Sequence, residues 1–316
     1  MLCELAHNFP RLIANLLERD RHLKRNFREE TVTDLLMASL VGLESFGIQV
    51  NLPDEPTTGG DMDWIYAAPL EIKGGQYLRL ILQAKRAQCA ERKKGNYWFY
   101  QHLDHGVPAG QQVKTLIQYA ATSPDGMPTL PLYMFYHPAS ALRPAVGSKP
   151  AVEGINIVFA STVANIVKGR CGLKEKRVAY WQDNFLPLSD LLCWPVIVEP
   201  AAMPPPSNAT EFLLGPGTGF LYPLSGAFHP DLVARRLQGR RDQSRARIAP
   251  DEPEPPPIVP TDGIPDDIRR AIDGKMTGED RERLKRPRVI FTTRMTRDSP
   301  SFLTAAKARR SGPRLG

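Results

Sequence analysis

The run QYLRLILQAKR, residues 76–86, constrains the fold more than any other stretch of the chain. Side chains alternate between the faces of a strand, so Leu78, Leu80 and Leu82 share one face while Tyr77, Ile81 and Gln83 take the other. Apolar residues on both faces mark a strand covered on both sides, as in the centre of a layered α/β protein. The strand closes on Gln83-Ala84-Lys85, which projects an amide and an ammonium from one face at the rim of a core. Burying an unpaired charge there is costly, so these groups need an internal partner or a ligand.

The surrounding pattern supplies the rest of a sheet. A helix is predicted over 29–45 from Val32, Leu35, Leu36, Leu40 and Leu43, with Gly47 marking the end. An earlier one is predicted over 4–23, with Pro10 near its start. FGIQVNLP and DMDWIYA read as strands, QQVKTLIQYAA as a helix with Val113, Leu116, Ile117 and Ala120 on its apolar stripe, and TLPLYMFYHP as an aromatic-rich strand. INIVFASTVANIVKG adds a strand and a helix. Between 29 and 136 the order helix, strand, strand, strand, helix, strand favours a mixed sheet with helices against it.

Residues 1–200 are expected to form this α/β domain. Beyond them the texture changes: MPPPSNATE and DEPEPPPIVPTDGIP are Pro-rich, and ARRLQGRRDQSRARIAP is Arg-rich. The 30 prolines are about twice ordinary usage. Residues 201–316 are therefore expected to be a basic Pro/Arg-rich extension, partly disordered, with a strand candidate at 286–295 (RPRVIFTTRM) that could return to the sheet. Charge follows the same division. The first 200 residues carry 21 Lys+Arg against 20 Asp+Glu, the last 116 carry 20 against 14, and the whole chain is +7. A basic tail suits a polyanion such as nucleic acid, or is simply a solvated linker. The four cysteines show no C-x-x-C pair and are expected to be reduced. No charged-then-apolar leader and no membrane-length apolar run is seen, so a cytoplasmic protein with no membrane partner is expected.

Chemistry concentrates in GGDMDW and LILQAKRA. Asp61 and Asp63 share a face of their strand, as Gln83 and Lys85 do of theirs, and neighbouring strands would bring the four together. A carboxylate with strand-borne oxygens suits a hard cation such as Mg²⁺, for which Mn²⁺ can substitute. Gln83 offers an amide oxygen and Ala84 a carbonyl; Glu30 on the preceding helix is a further candidate ligand. Lys85 could orient or deprotonate a water, or stabilise charge developing on a phosphate.

These pieces resemble the PD-(D/E)xK nuclease superfamily, in the Mrr-like variant where Q-x-K replaces acidic-x-K. The matching residues are Glu30 in EETVTDLL, Asp61 in GGDMDW, Gln83 and Lys85 in LILQAKRA, and Gln112 in QQVKTLIQYA, across roughly 28–137. The combined wording also looks like an uncharacterised bacterial family placed near these nucleases. The resemblance implies a restriction endonuclease-like fold and Mg²⁺-dependent hydrolysis of phosphodiester bonds, in DNA before RNA. It also implies a homodimer and a role in prokaryotic genome or phage defence. Its Gly-Asp pattern selects Asp61 as main metal ligand, leaving Asp63 as second ligand or salt-bridge partner. Gln112 would position Lys85, substrate or water. The rival reading is a nuclease fold that binds DNA or a protein without cutting.

Other signals carry less. KKGNYWFYQ mixes basic and aromatic residues, which can grip phosphates and stack on bases, or merely pack. GPGTG at 215–219 lacks the ending of a phosphate loop and reads as a turn. His102, His105 and His137 have no zinc spacing.

Overall fold

The computed structural model describes residues 2–20, 22–23, 27–44, 47–53, 61–68, 76–90, 97–105, 110–123, 126–142, 153–167, 172–193, 229–248 and 255–293. Helices α1 (Leu2–Asp20) and α2 (Glu29–Val41) precede strands β1 (Ile48–Asn51), β2 (Met62–Ala67), β3 (Tyr77–Arg86), β4 (Gln88–Ala90) and β5 (Tyr97–Phe99). There follow α3 (Gln111–Ala121), β6 (Thr129–His137), β7 (Gly154–Phe159), α4 (Ala160–Ile166), α5 (Leu173–Lys176), α6 (Val178–Trp181), β8 (Leu186–Pro187) and α7 (Ser189–Leu192). Then come α8 (Pro230–Ile248), α9 (Asp266–Ile272), α10 (Gly278–Glu282) and β9 (Arg288–Thr292).

Seven strands make one mixed sheet in the order β1-β9-β2-β3-β6-β7-β8, while β4 and β5 form a separate hairpin. β3 lies at the centre, antiparallel to β2 and parallel to β6, and all but its last residue are buried. Its even positions, Leu78 to Ala84, join a core with α1, α2, α7 and α8 on one face of the sheet. Ile81 belongs to the other core, with Tyr133, Phe135 and residues of α3, α4 and α6. A third cluster sets Ile65 and Ile290 against Ile268 and Ala271 of α9. Helices thus cover both faces, as the two-faced strand requires.

The return of the chain from its basic region is deeper than an edge contact. β9, inside the predicted 286–295 stretch, lies between β1 and β2, antiparallel to the first and parallel to the second. Phe291 stacks on Tyr66 at 4.9 Å and meets Trp64 edge-on at 5.3 Å. The Arg-rich run is a helix in its described part: α8 buries Val233, Ala234 and Leu237 and bonds Arg240 to Asp190 at 2.9 Å.

Two local differences have clear causes. α2 stops at Val41 rather than 45, where Gly42 caps it, and Leu35 remains largely exposed. Pro10 sits inside α1, with its carbonyl pressed against β7 at Gly154. There φ is +84° and a Cβ would lie 1.7 Å from the Pro10 oxygen, so only glycine fits. Cys3 of α1 and Cys193 beyond α7 are joined in a disulfide, where sequence spacing suggests reduced thiols; packing of α1 on α7 unites residues 190 apart.

Candidate functional site

The end of β3 and the start of β2 are adjacent rungs. The Asp61 N–H donates to the Leu82 carbonyl at 2.9 Å, extending the antiparallel pairing by one residue. This puts Asp61 beside Gln83. The Gln83 Nε2 donates to Asp61 Oδ2 at 2.7 Å, and the Ala84 N–H donates to the same oxygen. The Gln83 Oε1 is left buried with no hydrogen-bond partner.

Lys85 follows on the same face and is only 7% exposed. Its Nζ lies 3.7 Å from Glu29 Oε1, and Glu29 Oε2 accepts the Arg86 N–H at 2.8 Å. Thus Glu29, at the first position of α2, is the α2 carboxylate that touches the end of β3. Glu30 lies next to it on the wall of a cleft of about 420 Å³ that Glu29, Lys85, Arg86 and His102 also line. Arg86 is held by the fully buried Asp20, whose other oxygen accepts the Phe27 N–H at 2.6 Å. That pair ties the end of α1 and the Phe27 N–H to the end of β3, two residues before Glu29 begins its helix.

Burial dominates the electrostatics of the spot. Burial pushes the Glu29 carboxyl up to about 7; the Lys85 ammonium opposes this, while the Asp61 and Glu30 charges add to it. Burial likewise raises Asp61 to about 6, against the Ala84 N–H and Lys85, with Glu30 adding to the rise. Both acids therefore ionise at a cost to the fold. Stability from this source is complete below their ordinary values of 4.5 for Glu29 and 3.8 for Asp61 and is lost as pH rises through about 7 and about 6 respectively. The metal-free protein is expected to melt at a lower temperature at pH 8 than at pH 5.5, and a divalent cation to close that gap; differential scanning calorimetry reads both. Equal cation-free melting temperatures would contradict the assignment.

The other predicted residues are distributed as follows. Asp63 is in ion pairs, its Oδ2 2.7 Å from Arg79 Nη2 and its Oδ1 3.7 Å from Arg286 Nε, which is the salt-bridge arrangement. Gln112 stands in the first turn of α3 with Oε1 buried and unpartnered, its N–H donating to the His105 carbonyl at 3.1 Å. Trp98 and Tyr100 of the aromatic loop are packing residues: the indole N–H donates to Ser140 Oγ, and Tyr100 stacks on Phe135 at 4.3 Å. Lys93, Lys94, Arg92 and the GPGTG stretch lie outside the described residues. His137 is buried beside Asn156, its pKa lowered to about 4 by burial.

Glu29 escaped the sequence reading because successive residues of a helix differ by about 100° and the two glutamates are adjacent. Arg286 escaped because only the sheet order sets it beside Asp63.

The fit to a divalent cation rests on the donor set. Asp61, the orphaned amide oxygen of Gln83 and the neighbouring acids of α2 are all hard oxygen donors, and they share one ammonium. Among the described residues no three of His, Cys, Asp and Glu stand together as a ready-made cage. Mg²⁺ sites that use one or two carboxylates and keep several waters need no such cage.

A mixed α/β protein with an acid, an amide and an ammonium at the ends of adjacent central strands is the class that the fold and this site define. The chain belongs to DUF6615, a family of unknown function that matches residues 2–298. No curated protein and no solved structure matches it. Among the described residues no helix is long and apolar enough to cross a membrane.

Proposed function

We propose that the chain is a metal-dependent nuclease of restriction endonuclease-like fold that hydrolyses phosphodiester bonds, in DNA before RNA. The observation that carries this reading is the rung Asp61–Gln83. Asp61 fixes the amide by accepting from its Nε2, and the amide oxygen is thereby left buried and unpartnered, two residues before Lys85 on the same strand. Asp61 and Gln83 Oε1 would hold Mg²⁺ or Mn²⁺, with the α2 acids in support; bound there, the cation would supply Lewis-acid polarisation of the phosphoryl group.

The chain's own groups divide the remaining work. Lys85 brings ammonium hydrogens to the attacking water or to the phosphate oxygen where charge accumulates. Glu29 holds that ammonium from the α2 side. The cleft beside it, walled by Arg28 and His102 as well as the two glutamates, gives a strand of nucleic acid room to approach. A homodimer and a place in prokaryotic genome defence are carried by the sequence resemblance alone.

One observation favours the rival, a fold of this type that binds without cutting. Residue 83 is neutral, and Asp61 Oδ2 already accepts two N–H groups. A cleavage assay on labelled DNA and RNA with Mg²⁺ or Mn²⁺ separates the two. Cutting that disappears with chelator and in Asp61→Ala supports the nuclease. Binding that weakens with salt, with no cutting under either metal, supports the binding module.

A further inference from the structure

The rung that presents Gln83 has a second member that neither the sequence motif nor the family match singles out. β3 and β6 are parallel, and Tyr133 is the aligned partner of Gln83. Aligned residues on neighbouring strands, about 4.8 Å apart, point to the same face. Gln83 is 2% exposed and Tyr133 fully buried. The Tyr133 hydroxyl, like the Gln83 Oε1, has no hydrogen-bond partner.

Two orphans on one rung are unlike two scattered ones. Each buried polar group left unsatisfied costs on the order of 1–3 kcal/mol, and a hydroxyl could be avoided by phenylalanine at the same place. Phe135, two residues along β6 on that face, shows that a plain ring is accommodated there. The amide cannot satisfy itself by turning over, because Oε1 would then face Asp61 Oδ2, the acceptor now 2.7 Å from Nε2. Oε1 is an acceptor only, and the phenol can both donate and accept. What completes the rung must therefore offer hydrogen or positive charge to Oε1 and a hydrogen-bond partner to the phenol. A divalent cation with a water in its coordination shell supplies both, the cation to Oε1 and the water's hydrogen to the phenol oxygen.

We propose that Tyr133 is a positioning residue of this site, its hydroxyl oxygen accepting from a cation-bound water beside Gln83 and so holding the cation against the amide oxygen. The inference rests on the cation site proposed above and names a residue of it. Burial, with the Asp61 and Glu29 charges nearby, raises the phenol's pKa and keeps it a neutral hydroxyl.

The test is Mn²⁺ binding to the full chain by isothermal titration calorimetry, with no substrate present. Tyr133→Phe is expected to bind Mn²⁺ about tenfold more weakly, the usual scale for a residue acting through a ligand. Its cation-free melting temperature is expected to be unchanged or raised, because an unsatisfied hydroxyl has been removed. In the Gln83→Met background the Tyr133→Phe change is expected to have no further effect. Unchanged Mn²⁺ affinity in Tyr133→Phe, with wild type binding normally, overturns the role of Tyr133 and leaves the cation site standing. Undiminished loss in the Gln83→Met background also overturns it, since the two would then act independently. Wild type that binds no Mn²⁺ removes the site itself, and this inference with it.

Discussion

Lys85→Met is expected to lower the proposed metal-dependent cleavage by about 10²–10³-fold, the scale seen when one preorganised donor to developing charge is lost. The expectation follows from what Lys85 does not do. Arg86, its neighbour, is consumed by the buried Asp20. Lys85 stands 3.7 Å from a single carboxylate oxygen of Glu29, beyond hydrogen-bond length. An ammonium has three donors, and one ion pair of this kind leaves it free to serve a water or a phosphate. Arginine at 85 is not expected to restore the rate, since a planar fork does not occupy the place of a point charge. The loss is separable from unfolding. With Lys85 gone, Asp61 and Glu29 retain protons to higher pH, so the variant's stability should approach wild type near pH 5.5 and fall short at pH 8. Cleavage lost at both pH values, with melting temperature lowered at pH 8 alone, is the expected combination. Wild-type cleavage by Lys85→Met would leave the proposed chemistry without its donor.

Phe291→Ala is expected to cost about 3–5 kcal/mol, measured as a shifted urea midpoint. A whole domain commonly has only about 5–15 kcal/mol to lose. Phe291 is fully buried between Trp64 and Tyr66, two of the largest side chains in the core. More than packing depends on it. β1 has β9 as its strand partner, and β2 has β9 on the side away from β3. Removing residues 286–316 would withdraw an internal strand of the sheet, β9, together with the Arg286 partner of Asp63. Such a truncated chain is expected to lack a cooperative unfolding transition by circular dichroism. A truncated chain that still unfolds cooperatively at wild-type midpoint would show that β9 is dispensable.

The sheet was largely legible because burial on both faces writes itself into a strand. QYLRLILQAKR could be read as central without knowing its neighbours, and so could the alternation in TLPLYMFYHP. α8 was hidden because Val233, Ala234 and Leu237 are few among arginines, and the helix is stabilised by packing on α4 and α7 rather than by its own pattern. At the site, Asp61, Gln83 and Lys85 were legible because polar residues at the end of a buried strand need partners. Glu29, Arg286 and Tyr133 were not, since each reaches the site through tertiary structure. A helix start, a parallel crossover and a strand register put them there. Asp63 illustrates the limit most clearly. It has the same alternation phase as Asp61, yet Arg79, on the facing strand, and Arg286 claim it.

The proposed site is tested most directly by anomalous scattering from a crystal of the wild-type protein grown with Mn²⁺. The expected result is a single peak within about 2.0–2.3 Å of an Asp61 oxygen and Gln83 Oε1, with waters completing the shell. A peak elsewhere, or saturating Mn²⁺ with no peak at Asp61 and Gln83, would contradict it.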